Sequence, residues 1–170
     1  ACARARREEG QALIGTGHCY MTGGALSELS ERKILGGNQH ALPLSIFDDD
    51  VDYVALGHLH LAQAIDAAGV VRYCGSPIPL SVSEREYEHQ VLLVDFDEGE
   101  LQSVVPLAVP RHVDILRVPE DPREALELGP LLAALESLDL EPELPETRQP
   151  WLEVRVRVDA ARPSLRAEIE

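Results

Sequence analysis

Paired cysteines, surplus positive charge, aromatic side chains and long apolar runs are all scarce in this sequence, and each shortage narrows what the chain can be. Its three cysteines, Cys2, Cys19 and Cys74, are odd in number and share no ligand-like spacing, which sets aside a disulfide framework and a cysteine-based zinc site. They read as buried or incidental thiols of a reducing compartment. Lys and Arg number 15 against 30 Asp and Glu, a net charge of −15. That excludes broad electrostatic adhesion to nucleic acid, although not a nuclease whose metal ions supply positive charge locally. Aromatic residues make up 4% of the chain, so Leu and Val must build a globular core. No apolar run approaches the ~20 residues that span a bilayer, and no apolar stretch follows the arginines near the start as it would in a signal peptide. No membrane association and a cytoplasmic location are therefore expected. The first residue is not Met, residues 1–9 resemble the last turns of a helix, and residues 164–170 have helical spacing without a cap. Both ends read as interrupted elements, and a longer parent protein is expected.

What is present is a series of short apolar segments broken by turn signals. Residues 11–18 read as a short buried strand ending at His18, and residues 20–38, rich in Gly and Ser, as a long excursion. Ile46-Phe47 opens a short segment closed by Asp48-Asp49-Asp50. Residues 52–57 and 70–74 are the next strands, the second followed by the loop Gly75-Ser76-Pro77-Ile78-Pro79. Residues 90–96 form a near-continuous apolar run suited to a strand covered on both faces. Glu98-Gly99-Glu100 turns that run into a hairpin partner over residues 101–107. A boundary near Val109-Pro110 divides the chain into residues 1–109 and 110–170. Beyond it come a strand over 113–118 and a helix over 122–138, with Asp121 as N-cap and Pro122 at the first helical position. A linker rich in Pro and Glu covers 139–150. A strand over 151–158 follows, alternating with period two and anchored in the core by Trp151, and then a last helix. This β-α-β-α order marks a small second module. There is no internal repeat.

The chemistry rests on histidines. Gly57-His58-Leu59-His60 closes the strand over 52–57. A strand continued that far would put His58 and His60 on one side, about 6.6 Å apart, and Gly57 would clear room for a ligand or a second backbone. His18 closes an earlier strand in the same manner. Ligands of α/β sheets collect at the C-terminal ends of strands, and imidazole is the commonest metal ligand. His18, His58 and His60 are thus a candidate metal set; a pair of hydrogen-bonded loop histidines is the plainer alternative for the last two. Three histidines suit one zinc with an open position, or part of a two-metal site with ions ~3.5–4 Å apart. Neutral imidazoles bring no charge, so a binuclear site would need carboxylates from sequence not present here.

The stretches Asp52-Tyr53-Val54-Ala55-Leu56-Gly57-His58-Leu59-His60, Tyr73-Cys74-Gly75-Ser76-Pro77-Ile78-Pro79-Leu80-Ser81 and Ser83-Glu84 resemble the SbcD family, the nuclease subunits of bacterial SbcCD complexes. Ser30-Glu31-Arg32 and Pro150-Trp151-Leu152-Glu153-Val154 are similar to further segments of it. That family lies within the calcineurin-like metallophosphoesterases and is related to the Mre-type double-strand-break repair nucleases. The resemblance implies an α/β fold: the C-terminal half of a two-sheet metallophosphoesterase sandwich, followed by the start of a small α+β capping domain. It implies that His18 and His58 bind the second metal and His60 the first, with two manganese ions in all. Gly75, Ser76, Pro77 and Ser81 would belong to the loop lining the substrate cleft. The implied activity is that of a manganese-dependent 3′–5′ exonuclease and endonuclease, which hydrolyses phosphodiesters of double-stranded DNA by two-metal chemistry in repair, recombination and replication. The SbcC ATPase is the implied partner, and a homodimer within a heterotetramer the implied assembly. The family's earlier motifs, Asp-x-His, a bridging Asp, and Asn-His-Asp with its catalytic His, are absent from this sequence. No catalytic residue is therefore assigned within it, and the chain alone is expected to be inactive. Gly37-Asn38-Gln39-His40 is no substitute, because Gln39 stands where the catalytic His would be and the segment follows His18 instead of preceding it.

Two other readings remain. One is a different metallophosphoesterase, a phosphatase or cyclic-nucleotide phosphodiesterase, against which the module after Pro110 argues for a polymeric substrate. The other is a folded remnant without activity. The remaining candidates have plain explanations. Asp48-Asp49-Asp50 lacks the Gly and the ligand spacing of a calcium loop and reads as a solvated turn. Ser76 lacks the Gly-x-Ser-x-Gly setting of a nucleophile elbow. His89 and His112 read as surface or boundary residues. Arg155 and Arg157 read as solvated, with phosphate contact the lesser alternative.

Overall fold

The computed structural model describes residues 7–26, 41–141 and 143–169, in a mixed α/β chain of several sheets and few helices. Cys2, Ser30-Glu31-Arg32, Gly37-Asn38-Gln39-His40 and much of the 20–38 excursion lie outside the described residues. The chain falls into two compact units, Ala1–Arg111 and His112–Glu170.

The first unit is built on a four-stranded sheet. Its strands β1 (Ile14–His18), β2 (Tyr53–Gly57), β3 (Gln63–Ala64) and β4 (Val71–Tyr73) lie in the order β1-β2-β4-β3. β1, β2 and β4 run parallel, and β3 returns antiparallel to β4. The central strand β2 buries Tyr53, Val54 and Leu56, the aliphatic and aromatic side chains that a pleated surface packs best. Among the described residues β1 is an edge strand, and its Ile14 is 48% exposed. The expected buried strand is thus corrected: Gly15 and Gly17 leave it little apolar surface to cover. The register pairs His18 with Gly57, so β1 and β2 end level.

Val54, Leu56, Val71 and Tyr73 form the core of this unit with Met21 and Leu59, and Cys19, Phe47, Val51 and Ile65 pack around them. The buried Tyr73 hydroxyl donates to the Cys19 carbonyl at 2.7 Å and accepts from the Met21 N–H at 2.9 Å. It thereby ties the segment after β1 to β4. Burial pushes the Tyr73 phenol up to about 12. β5 (Gln90–Asp97) and β6 (Glu100–Ala108) make an antiparallel hairpin, turned at Glu98 and Gly99 with φ of 47° and 87°. Two successive positive φ values are what a tight hairpin turn requires. Among the described residues the apolar run of β5 is covered on one face only. Val91 and Leu93, with their cross-strand partners Leu107 and Val105, are half-exposed.

The second unit runs β7 (Ile115–Val118), α1 (Leu128–Glu136), β8 (Trp151–Val154) and α2 (Leu165–Ile169), with β7 and β8 parallel. Parallel strands need a crossover, and α1 lies within it. The helix begins at Leu128 and not at residue 122. Pro130 is the reason. Inside a helix begun at 122 its ring would strike the carbonyl of residue 126 and a hydrogen bond would be lost, whereas in the first turn it is tolerated. Leu126 instead bridges to the strand side: its N–H donates to the Arg155 carbonyl at 3.1 Å, and its carbonyl accepts from the Arg157 N–H at 2.7 Å. Asp121 accepts from the Arg123 N–H at 2.9 Å and caps no helix. Trp151 is 58% exposed and is not the expected core anchor. α1 packs chiefly on β7, and the buried residues of this unit, among those described, are Ile115, Val118 and Leu131. Arg155 is not simply solvated. It binds Glu153 at 2.9 Å, and Arg117 binds the same carboxylate at 2.6 Å. Burial pushes the Glu153 carboxyl up, but hydrogen bonds from Arg117 and Arg155 outweigh it and hold it below the usual range. Among the described residues no helix is long and apolar enough to cross a membrane.

Candidate metal centre

Level strand ends bring two of the three candidate histidines together. His18 is the last residue of β1, its register partner Gly57 the last of β2, and His58 follows immediately. The rings of His18 and His58 lie edge to face, with centroids 5.3 Å apart and planes at 71°. Gly57 makes this possible, since a Cβ there would sit 2.9 Å from His18 Nδ1. His58 has φ of 102°, a left-handed conformation that costs an L residue roughly 1–3 kcal/mol. The strand has therefore ended before His58, and period-two alternation does not carry it and His60 to a shared side. Leu59 between them is 2% exposed and belongs to the core.

His60 is held separately. Its Nδ1 lies 2.7 Å from Glu84 Oε1, and its backbone carbonyl accepts from the Ser76 N–H at 3.0 Å. Glu84 is fully buried at the end of a 3₁₀ turn, Val82–Glu84. Its Oε2 accepts from the Leu80 N–H at 3.0 Å and the Ser76 hydroxyl at 3.2 Å. Several donors converging on one carboxylate are what make burial of a charge tolerable. The loop expected to line a cleft thus divides its labour. Gly75, at φ 84°, packs so closely that a Cβ would lie 2.9 Å from the Ala62 nitrogen and from the His60 carbonyl oxygen. Ser76 is buried and turned inward, Pro77 is exposed, and Ser81 caps the 3₁₀ turn by accepting from the Ser83 N–H at 3.3 Å.

Sequence reasoning missed two residues here. Glu84 was visible only as half of the dipeptide Ser83-Glu84, with nothing to mark it as buried. His89, expected as a surface or boundary residue, is 6% exposed; its Nδ1 lies 2.9 Å from the Ser76 carbonyl, and its Nε2 is buried without a hydrogen-bond partner among the described residues. The spacing of thirteen residues between His89 and Ser76 carries no local signal. His112 is exposed, as expected.

Two imidazoles on one ion, with N–metal distances of about 2.0–2.1 Å and angles between right and tetrahedral, hold their centroids roughly 4.5–5.5 Å apart. His18 and His58 meet that spacing. Among the described residues no group of three or more His, Cys, Asp and Glu side chains is arranged to hold an ion. The pair therefore fits as part of a ligand set and is not a complete one.

No protein-family model matches the chain. Curated relatives do. It is 42% identical over 147 residues to the SbcD subunit of the SbcCD nuclease of Rhodobacter capsulatus, covering 86% of this chain and 35% of that protein. It is 35% identical over 159 residues to the SbcD protein of Escherichia coli K12, covering 94% of this chain and 37% of that protein. Over 88 residues it is 41% identical to the SbcD protein of Bacillus subtilis 168, covering 51% of this chain and 22% of that protein. The chain spans about a third of the length of the first two relatives. Over most of its own length, the sequence is SbcD-like.

Proposed function

We propose that this chain supplies the imidazole side of a two-metal phosphodiesterase centre in an SbcD-type nuclease. The enzyme so formed is a manganese-dependent DNA exonuclease and endonuclease that works in the cytoplasm with the SbcC ATPase on double-stranded DNA, as a homodimer within a heterotetramer. The observation that supports this most is the meeting of the His18 and His58 rings at 5.3 Å, at the C-terminal edge of two parallel strands, in an SbcD-like sequence. In this reading residues 1–109 form the C-terminal half of a metallophosphoesterase sandwich and residues 110–170 begin a capping domain.

His18 and His58 would hold one ion and His60 the other. When bound, the ions supply an activated water and neutralise charge that develops on the scissile phosphate. The chain's own residues set the geometry. Gly57 gives the His18 ring its space, buried Leu59 fixes the backbone between His58 and His60, and the carboxylate of Glu84 orients the His60 ring. Pro77, exposed on the loop from Gly75 to Ser81, is open to a nucleic-acid strand. The bridging carboxylate and the catalytic His belong to sequence that this chain does not contain.

The test is cleavage of double-stranded DNA with Mn2+ by an SbcD-length protein carrying this sequence, with and without His60→Ala. Activity should fall to background in the variant, and the 170-residue chain alone should cleave nothing. Undiminished cleavage by the variant, or robust metal-dependent cleavage by the chain alone, overturns the reading.

A further inference from the structure

We propose that Glu84 is a positioning residue that decides which nitrogen His60 presents outward. The proposal rests on the reading of His60 as a metal ligand only for its consequence. The arrangement itself is a property of this chain.

An ionised carboxylate only accepts hydrogen bonds. The Leu80 N–H and the Ser76 hydroxyl, both donated to Glu84 Oε2, favour its ionised form, and His60 Nδ1, 2.7 Å from Oε1, then carries the proton, which leaves the lone pair of the neutral ring on Nε2. Glu84 cannot turn away from this contact. Its other oxygen is held by the Leu80 N–H, a backbone group with no rotational freedom, and by the Ser76 hydroxyl. The hydroxyl's direction is fixed in turn. The Ser76 carbonyl can only accept, so His89 Nδ1 at 2.9 Å is a donor. Ser76 Oγ, 3.3 Å from that same nitrogen, finds no acceptor there and directs its hydrogen to Glu84. One short segment, from Gly75 to Glu84, thus holds His60 at two points: the carbonyl through the Ser76 N–H and the ring through Glu84. A carboxylate behind a ligating imidazole fixes its tautomer and raises its basicity, and losing such a partner lowers metal affinity by about 10–100-fold.

Glu84→Gln separates this role from simple packing, because the amide has the same shape but one acceptor oxygen. The Leu80 N–H can only donate and claims that oxygen. The amide NH2 then faces His60 Nδ1, which must become an acceptor, so the ring proton moves to Nε2. Ring 15N NMR at a pH where His60 is neutral reads the tautomer directly, without metal. The wild-type chain should show Nδ1–H, Glu84→Gln should show Nε2–H, and Ser76→Ala should keep Nδ1–H. Titration of an SbcD-length protein carrying this sequence with Mn2+ alone, followed by paramagnetic broadening of the ring signals, should give at least 10-fold weaker binding at His60 in Glu84→Gln. A wild-type ring protonated only at Nε2 overturns the proposal, even if Glu84→Gln fails to fold. A Glu84→Gln ring that keeps its proton on Nδ1 does so as well. If the tautomers behave as stated while Mn2+ broadens no ring in the SbcD-length wild type, the positioning role stands and the metal reading of His60 fails.

Discussion

Replacing His58 by Gly and by Ala tests whether its backbone is strained on behalf of its ring. At φ 102° a side chain with a Cβ costs roughly 1–2 kcal/mol relative to glycine. Opposing this, glycine widens the unfolded ensemble and loses about 0.4–1 kcal/mol against alanine. Neither variant carries an imidazole, so the contact with His18 is lost from both and cancels between them. The difference favours His58→Gly over His58→Ala by about 0.8 kcal/mol, the reverse of the order at an ordinary position. Urea unfolding of the two variants measures it. With a denaturant slope of roughly 1–3 kcal/mol/M, the midpoint of the glycine variant should lie about 0.3–0.8 M higher at equal slope. An alanine variant as stable as the glycine variant, or more so, refutes the idea that this position stores strain.

Two further outcomes follow from the same loops and core. Gly75→Ala should lose more than about 2 kcal/mol in urea unfolding, since it combines a left-handed backbone with a Cβ 2.9 Å from two backbone atoms that have no rotamer to yield; unchanged stability would show that the loop is not clamped to His60. Tyr73→Phe should cost about 1–3 kcal/mol at neutral pH, because the Met21 N–H and the Cys19 carbonyl lose a partner. Its pH dependence has a definite sign. The folded-state value of about 12 for Tyr73 lies above that of a free phenol, ~10. Its contribution is thus whole below about pH 10 and is lost as the pH rises towards 12, by an amount on the order of 2 kcal/mol. The wild type should lose that much more than Tyr73→Phe across this window, and parallel stability curves would contradict it.

Much of the first unit was legible because its signals are local. Val54 and Leu56 mark β2, Glu98-Gly99 marks a turn that needs two positive φ values, and His18 and His58 stand directly at strand ends. The errors arose where a distant partner or one competing residue decides. Pro130 shortens a helix whose periodicity runs well upstream of it. Trp151 stays exposed while α1 packs on β7, an arrangement that no pattern within β8 can reveal. Alternation does not extend to His58 because the chain turns there, at a φ that residues other than glycine rarely adopt. The burial of Glu84 and of His89 escapes the sequence for one shared reason. A charged or polar side chain looks like surface until the structure shows the donors and carbonyls gathered around it.

Leu59 couples two properties that are usually probed apart. Its side chain is a structural plug, and its backbone neighbours on either side are His58 and His60. Loosening around Met21, Val54 or Tyr73, which share its core cluster, should shift Leu59 and with it the backbone of both histidines. If the proposed metal centre holds, substitutions deep in the interior should then mimic the loss of a ligand without touching one, and a map of inactivating mutations in an SbcD-length protein carrying this sequence would trace the packing around Leu59 as faithfully as the histidines themselves.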